Sequence, residues 1–284
     1  MQIKHFFDQQ TWTFSYVVWD EETNDAVIID PVLNFDPVNL CFSEVSMEEL
    51  IAFVEEKTLQ VHYVLETHIH ADHITAASRL RDKLGAKLVV NAMFPVVQEI
   101  FSELLSVQDD SLKEQVFDVY AEDGQILEAG SLRVKAIHTP GHTPACTTYQ
   151  IDDAVFVGDT LFMPDLGTGR CDFPKGSADL LFDSITQKLY TLPDETKVFV
   201  GHDYQPGGRI LLWETTIGAS KRENKHLTAD TTRENFRKYR TERDATLNLP
   251  KLLFQSVQLN VRGGALPKPD RNGLPMLRIP ILGS

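Results

Sequence analysis

Along the first two thirds of the chain, short apolar runs alternate with stretches whose apolar residues recur at helical spacing. The runs at 14–19, 26–29, 61–66, 87–90, 132–137, 147–151, 154–157 and 197–200 are rich in Val, Ile, Phe or Tyr. Each is bounded by Gly, Pro, Asp or Asn, which predicts strands. Met47, Leu50, Ile51 and Val54 fall on one face of a helix, and Ser46 with Glu49 reads as its capping box. A second helix is expected from near Ile74 to a stop at Gly85, and a third after Ser177, with Phe182, Ile185 and Leu189 in phase. From about Leu211 the texture changes. Residues 221–251 are polar, helical in pattern and richer in basic than acidic side chains, which reads as a solvated helical face. The tail, through 257–261, Gly263-Gly264 and several prolines to Ser284, is expected to be extended. The pattern predicts an α/β (α+β) core over 1–210 with a helical and extended appendage, 211–284, packed on it as one structural domain.

Composition narrows the class of function. The chain has 284 residues, 27 Lys+Arg against 41 Asp+Glu and a formal charge of −14. An acidic field argues against nucleic acid or an anionic membrane as the main partner, since both need a basic face. No run approaches the roughly 18 apolar residues of a membrane span. The start, Met1-Gln2-Ile3-Lys4-His5, lacks the apolar core of a secretory signal, so a cytoplasmic protein is expected. The cysteines, Cys41, Cys146 and Cys171, are odd in number and scattered, so no disulfide framework is expected, and Cys146 and Cys171 are read as buried or bystander thiols.

The chemistry concentrates at Thr67-His68-Ile69-His70-Ala71-Asp72-His73, directly after the run at 61–66. At a strand end, alternate residues such as His68 and His70 point to one side, and the following turn swings Asp72 and His73 toward a neighbouring point. Imidazole and carboxylate together suit one or two ions of zinc, iron or manganese. Three further candidates share the strand-end context: His142 in Thr139-Pro140-Gly141-His142-Thr143, Asp159 after Gly158, and His202 after Gly201. In α/β proteins the carboxyl ends of strands are where sites assemble. His5, His62, His138 and His226 have no clustered partners and read as structural.

The motif His-x-His-x-Asp-His with distant His, Asp and His resembles the metallo-β-lactamase superfamily at all seven positions, which implies a four-layer αββα sandwich with metal at one edge. Within it the chain most resembles the persulfide dioxygenases, through segments 67–75 (THIHADHIT), 139–143 (TPGHT), 169–173 (GRCDF), 201–204 (GHDY) and 247–251 (LNLPK). The closest branch is bacterial, with a longer body and a Val-Arg-Gly-Gly tail, here 261–264. The resemblance implies one Fe(II) per chain on His68, His142 and Asp159. His70, Asp72, His73 and His202 would stand behind these ligands or hold a second metal. Arg170, Tyr204 and Asn260 would contact glutathione, and a local cation such as Arg170 or Arg262 suits that anionic ligand. The implied reaction turns glutathione persulfide, O2 and water into sulfite and glutathione. The alternative is a binuclear zinc hydrolase of glutathione thioesters, like glyoxalase II, with Asp159 bridging two ions, and a third reading is a metal-binding module without catalysis. A homodimer is compatible with the resemblance. Two departures stand out: the segment 159–170, with Met163-Pro164-Asp165-Leu166, is longer than in the mitochondrial relatives, and their tail cysteine is here Gly263.

Overall fold

The computed structural model describes residues 1–105 and 116–281. The first half runs β1 (Gln2–Asp8), β2 (Thr13–Trp19), β3 (Asp25–Ile29), β4 (Val32–Asp36), β5 (Cys41–Ser43), α1 (Val45–Glu56), β6 (Gln60–Leu65), β7 (Ile74–Thr75), α2 (Ala77–Leu84), β8 (Lys87–Asn91), α3 (Phe94–Leu104) and β9 (Val119–Ala121). The second half runs β10 (Ile126–Ala129), β11 (Leu132–His138), β12 (Thr147–Ile151), β13 (Ala154–Phe156), α4 (Ala178–Asp183), β14 (Lys197–Phe199), β15 (Glu214–Thr216), α5 (Ile217–Glu223), α6 (Arg233–Asp244) and α7 (Leu253–Asn260).

Two six-stranded sheets, ordered β1-β2-β3-β6-β8-β9 and β10-β11-β12-β13-β14-β15, form the centre, and β5-β4-β7 make a small third sheet. Strands β3, β6, β8 and β9 are parallel, as are β13 and β14. The inner strands of the first sheet are buried on both faces, which is why β2 and β3 read as unbroken apolar runs. In β3, Ala26 and Ile28 enter the core shared with Met47 and Leu80, while Val27 and Ile29 enter the core shared with Val134 and Phe156. Leu181, Ile185 and Phe236 pack against that second core. The result is the expected four-layer αββα sandwich. Strand β15 joins the second sheet beyond residue 210, and α7 contributes Val257 and Leu259 to the first core.

Several local expectations change. The edge strand β1 was not visible as an apolar run, because its outer half alternates with exposed polar residues. Ser46 lies inside the first turn of α1, not at its cap. Its N–H donates to Asn34 Oδ1 (2.9 Å) and its hydroxyl to Asp8 Oδ2 (3.0 Å), so neighbouring strands serve the helix start. Ser177 does cap α4, accepting from Leu180 N; beyond Asp183 the chain continues through a π turn at Ser184–Lys188 and a 3-10 turn at Leu189–Thr191. Gly85 ends α2 with φ +71°, as expected. Residues 257–260 are helical rather than extended. Their Val-Gln-Leu-Asn alternation imitates a half-buried strand, yet Gln258 and Asn260 are buried too, because their amides find backbone partners. The last three residues of the expected tail lie outside the described residues. Among the described residues no helix is long and apolar enough to cross a membrane.

Candidate metal centre

The seven histidine and aspartate positions arrive at one edge of the sandwich because each follows a strand. The two sheets are stitched together there: Phe14 N donates to Gly201 O (2.8 Å), Thr147 N to Thr67 O (2.7 Å) and the Tyr149 hydroxyl to Glu66 O (3.0 Å). Glycine leaves room for close backbone approach at two of the turns. Gly158 has φ +48°, and a Cβ there would stand 2.4 Å from Thr67 Oγ1. Gly201 is tight for a different reason, since a Cβ there would press on the backbone of Gly158 at 3.1 Å.

Ligand atoms of His68, His142 and Asp159 lie within 4.8 Å of one another. Asp159 Oδ2 is 3.6 Å from His142 Nε2 and 4.0 Å from His68 Nε2. A second grouping, His70, Asp72 and His73, meets the same 4.8 Å limit. His202 bridges them, its Nε2 3.3 Å from Asp159 Oδ1 and 3.4 Å from Asp72 Oδ2.

Outer partners set the ring tautomers. His142 Nδ1 is 2.7 Å from Arg170 O; a carbonyl can only accept, so Nδ1 carries the proton and Nε2 keeps its lone pair. The Thr67 hydroxyl donates to Asp30 Oδ2 (2.7 Å), so it can only accept at 3.0 Å from His68 Nδ1, and His68 Nε2 is likewise a lone pair. His202 Nδ1 donates to Trp12 O (3.1 Å). His70 is turned the other way: its Nε2 lies 3.1 Å from Asp30 Oδ1 and 3.2 Å from Glu66 Oε2, leaving Nδ1 toward the centre. His68 Nε2, His70 Nδ1, Asp72 Oδ2, His73 Nε2 and Asp159 Oδ1 are buried without hydrogen-bond partners. The lone pairs of His68 Nε2 and His142 Nε2 converge on the Asp159 carboxylate and repel unless a cation joins them, so these residues fit a bound metal.

The electrostatics agree with this division. Burial, reinforced by the neighbouring histidines, lowers the pKa of His68 and favours its neutral, ligating form. Burial also opposes charge on His70, but the Asp30 and Glu66 carboxylates outweigh it and raise its pKa well above the ordinary value. Burial raises the Glu66 carboxyl, and burial pushes the Cys146 thiol up to about 12, which makes that buried cysteine a poor nucleophile. Cys171 is raised for the same reason, while Cys41 is exposed.

The residues expected to contact substrate separate. Tyr204 is about half exposed and its ring stacks on His202, with centroids 5.6 Å apart. Arg170 is held by Asp172 (both bonds 2.6 Å) and by Asn248 O (2.8 Å), which uses three of its five N–H groups. Next to it, Phe173 lies against the His142 ring and lines a largely apolar recess of about 220 Å³ with Phe101, Leu253 and Phe254. Asn260 has a different occupation from the one expected. It is buried, accepts from Thr75 N (2.9 Å) and donates to the carbonyls of His70 and His73 (both 2.8 Å), so it clamps the histidine turn from below. Arg262 is buried and donates to Gln258 O. The structural histidines find ordinary partners: His62 with Asp25 (2.6 Å), His138 with Pro144 O (2.9 Å), and His5 stacked on Trp213.

Sequence reasoning missed Asp30 and Glu66. Both were findable, since Asp30 follows the run at 26–29 and Glu66 ends the run at 61–66, the same strand-end context as the ligands.

Comparison with known proteins bears on the chemistry. Residues 13–202 match the model of the metallo-beta-lactamase superfamily. The chain is 44% identical over 98% of its length to a protein named beta-lactamase hydrolase-like from Agrobacterium fabrum, and spans 64% of that longer relative. It is 30% identical to the mitochondrial persulfide dioxygenase ETHE1 of Bos taurus, covering 94% of this chain and 91% of that one. The crystal structure of ETHE1 from Myxococcus xanthus superposes with a TM-score of 0.75 at 34% identity, over 93% of this chain and all (100%) of that one.

Proposed function

The chain belongs to the metallo-beta-lactamase superfamily, and from that premise we propose that it is a persulfide dioxygenase converting glutathione persulfide, O2 and water to sulfite and glutathione. The observation that carries the reading is the grouping of His68 Nε2, His142 Nε2 and Asp159 Oδ2, with both rings locked in the ligating tautomer. Likeness to persulfide dioxygenases over nearly the whole chain supports it. Two imidazoles and one carboxylate would hold Fe(II) with neighbouring positions open, and iron so held supplies the redox chemistry that lets O2 react with a soft sulfur anion.

The protein's own part is to bind, orient and exclude water. Thr67 and the Arg170 carbonyl hold His68 and His142 in register. Tyr204, at the rim above His202, and Arg170, a cation in an acidic protein, are the contacts proposed for the glutathione moiety. Phe173 screens one side of His142 from water. His70, Asp72, His73 and His202 act behind the ligands, and no side chain needs to act as a general base.

A binuclear zinc hydrolase of glutathione thioesters is the second reading. It is favoured by the unpartnered Asp159 Oδ1, which faces His202 beside the His70, Asp72 and His73 grouping, and by a relative's hydrolase-like name. The test is metal content of anaerobically purified protein, paired with O2 uptake on adding glutathione persulfide. About one iron per chain, with O2 uptake and sulfite release, is expected. Two zinc ions, no O2 uptake and thioester hydrolysis would replace this reading with the second.

A further inference from the structure

The turn between Gly167 and Cys171 touches two of the proposed ligands. A Cβ on Gly169 would stand 1.9 Å from Asp159 O, so the turn rests directly on that backbone, and the next carbonyl, of Arg170, accepts from His142 Nδ1. Asn224 Nδ2 donates to Gly167 O (2.9 Å), and the Arg170 side chain is bonded to Asp172 and Asn248 O. The backbone at Thr168 and Cys171 is gripped from α6, more than seventy residues later in the chain. Arg240 Nη1 donates to Thr168 O (3.1 Å), Asp244 Oδ2 accepts from Cys171 N (2.8 Å), and the two are paired through Arg240 Nε and Asp244 Oδ1 (3.0 Å). His226 Nδ1 accepts from Thr168 N (3.0 Å), so its Nε2 carries the ring proton and donates to the Tyr239 hydroxyl oxygen (2.6 Å). The Arg170 carbonyl therefore lies between two backbone points fixed from α6.

Arg240 is 3% exposed and Asp244 5%. A buried ion pair is weak evidence of stabilisation, because desolvation offsets most of its attraction and apolar pairs of similar volume often serve as well. Another role fits its hydrogen bonds better. We infer that the Arg240–Asp244 pair is a positioning device for the metal site: by fixing the backbone at Thr168 and Cys171 it aims the Arg170 carbonyl at His142 and so holds Nε2 of His142 toward Asp159. Outer partners of metal-bound histidine typically change metal affinity by about 10- to 100-fold when removed. The inference rests on the proposed function only as far as His142 is a ligand, which holds for the iron and the zinc readings alike.

The experiment compares the parent protein with His142→Ala, Asp244→Asn and the double variant Arg240→Met/Asp244→Leu. Metal affinity is read by competition with a chromogenic chelator, geometry by the visible bands of the Co(II)-loaded protein, and folding by melting of the metal-free form. The double variant removes the ion pair but strands Thr168 O and Cys171 N–H, so it is expected to fold with a lowered melting temperature while binding metal about 10- to 100-fold more weakly, with shifted Co(II) bands. Asp244→Asn is expected to move affinity in the same direction. Unchanged affinity and bands in the double variant, with metal lost in His142→Ala, would overturn this inference alone. Parental affinity in His142→Ala would remove the ligand assignment and the inference with it.

Discussion

The His68, His142 and Asp159 grouping draws its members from three separate strand ends across both sheets, whereas His70, Asp72 and His73 come from one short turn. In the first grouping, the Arg170 carbonyl holds His142, and Thr67, itself bound to Asp30, holds its neighbour His68, with Nε2 of each ring presented to the centre. In the second, His70 is bound on its far side by two buried carboxylates, and Asp72 keeps 28% of its side chain exposed. Residues distant in the chain hold both groupings, but only in the first do they present two Nε2 lone pairs to one shared carboxylate. Preorganisation of lone pairs is what a metal reads, so the first grouping is the stronger candidate for a permanently held ion.

The sharpest way to break this comparison is His142→Ala. It removes one of the two imidazole ligands of the grouping, and metal affinity should fall by at least about 100-fold, beyond the range for outer partners. Metal analysis after dialysis against a chelator decides; stoichiometric retention would mean that the other turn holds the ion. Asn260→Ala tests the clamp under the second grouping. It strands Thr75 N–H and two carbonyls in a buried place, for a loss of about 3 kcal/mol in urea unfolding. A loss within experimental error would show that water replaces the amide.

Asp72→Asn is a milder change. With one ion on the first grouping, metal content should stay as in the parent and turnover should drop by about tenfold. A halved metal content would favour the binuclear reading. The smallest effect lies far from the metal, at the opposite end of β3 from Asp30. Asp25 is bonded to His62 and to Ser131 N, and these bonds lower its pKa from 3.8 to about 2. A carboxyl harder to protonate when folded contributes stability that is complete above its unfolded pKa and lost as pH falls toward its folded one. Parent and Asp25→Asn should therefore differ in melting temperature at neutral pH and converge between about pH 4 and pH 2. Parallel curves down to pH 2 would show that the pair contributes nothing.

Central strands such as β2 and β3 were legible because both faces of their sheet are buried, which writes them as unbroken apolar runs, whereas β11 showed as an alternation of buried and exposed residues. The candidate ligands were legible for a related reason: metal-binding side chains cluster at strand ends, and His68 to His73 fall within a single turn. Short strands such as β9, β10 and β15 carry too few residues for a periodic signal. Ser46 was misread because a capping box is a local pattern, and Asn34 and Asp8 offered better partners from across the fold.

What the sequence determined by itself is therefore the layered α/β architecture and the list of metal-seeking side chains, since each depends on periodicity or short spacing along the chain. Tertiary structure alone decided how those side chains are used. The tautomers of His68 and His142, the acid pair that holds His70, and the clamp by Asn260 all join residues far apart in the chain. Hydrogen-bond direction depends on which donor and acceptor meet in space, and no one-dimensional pattern carries that information.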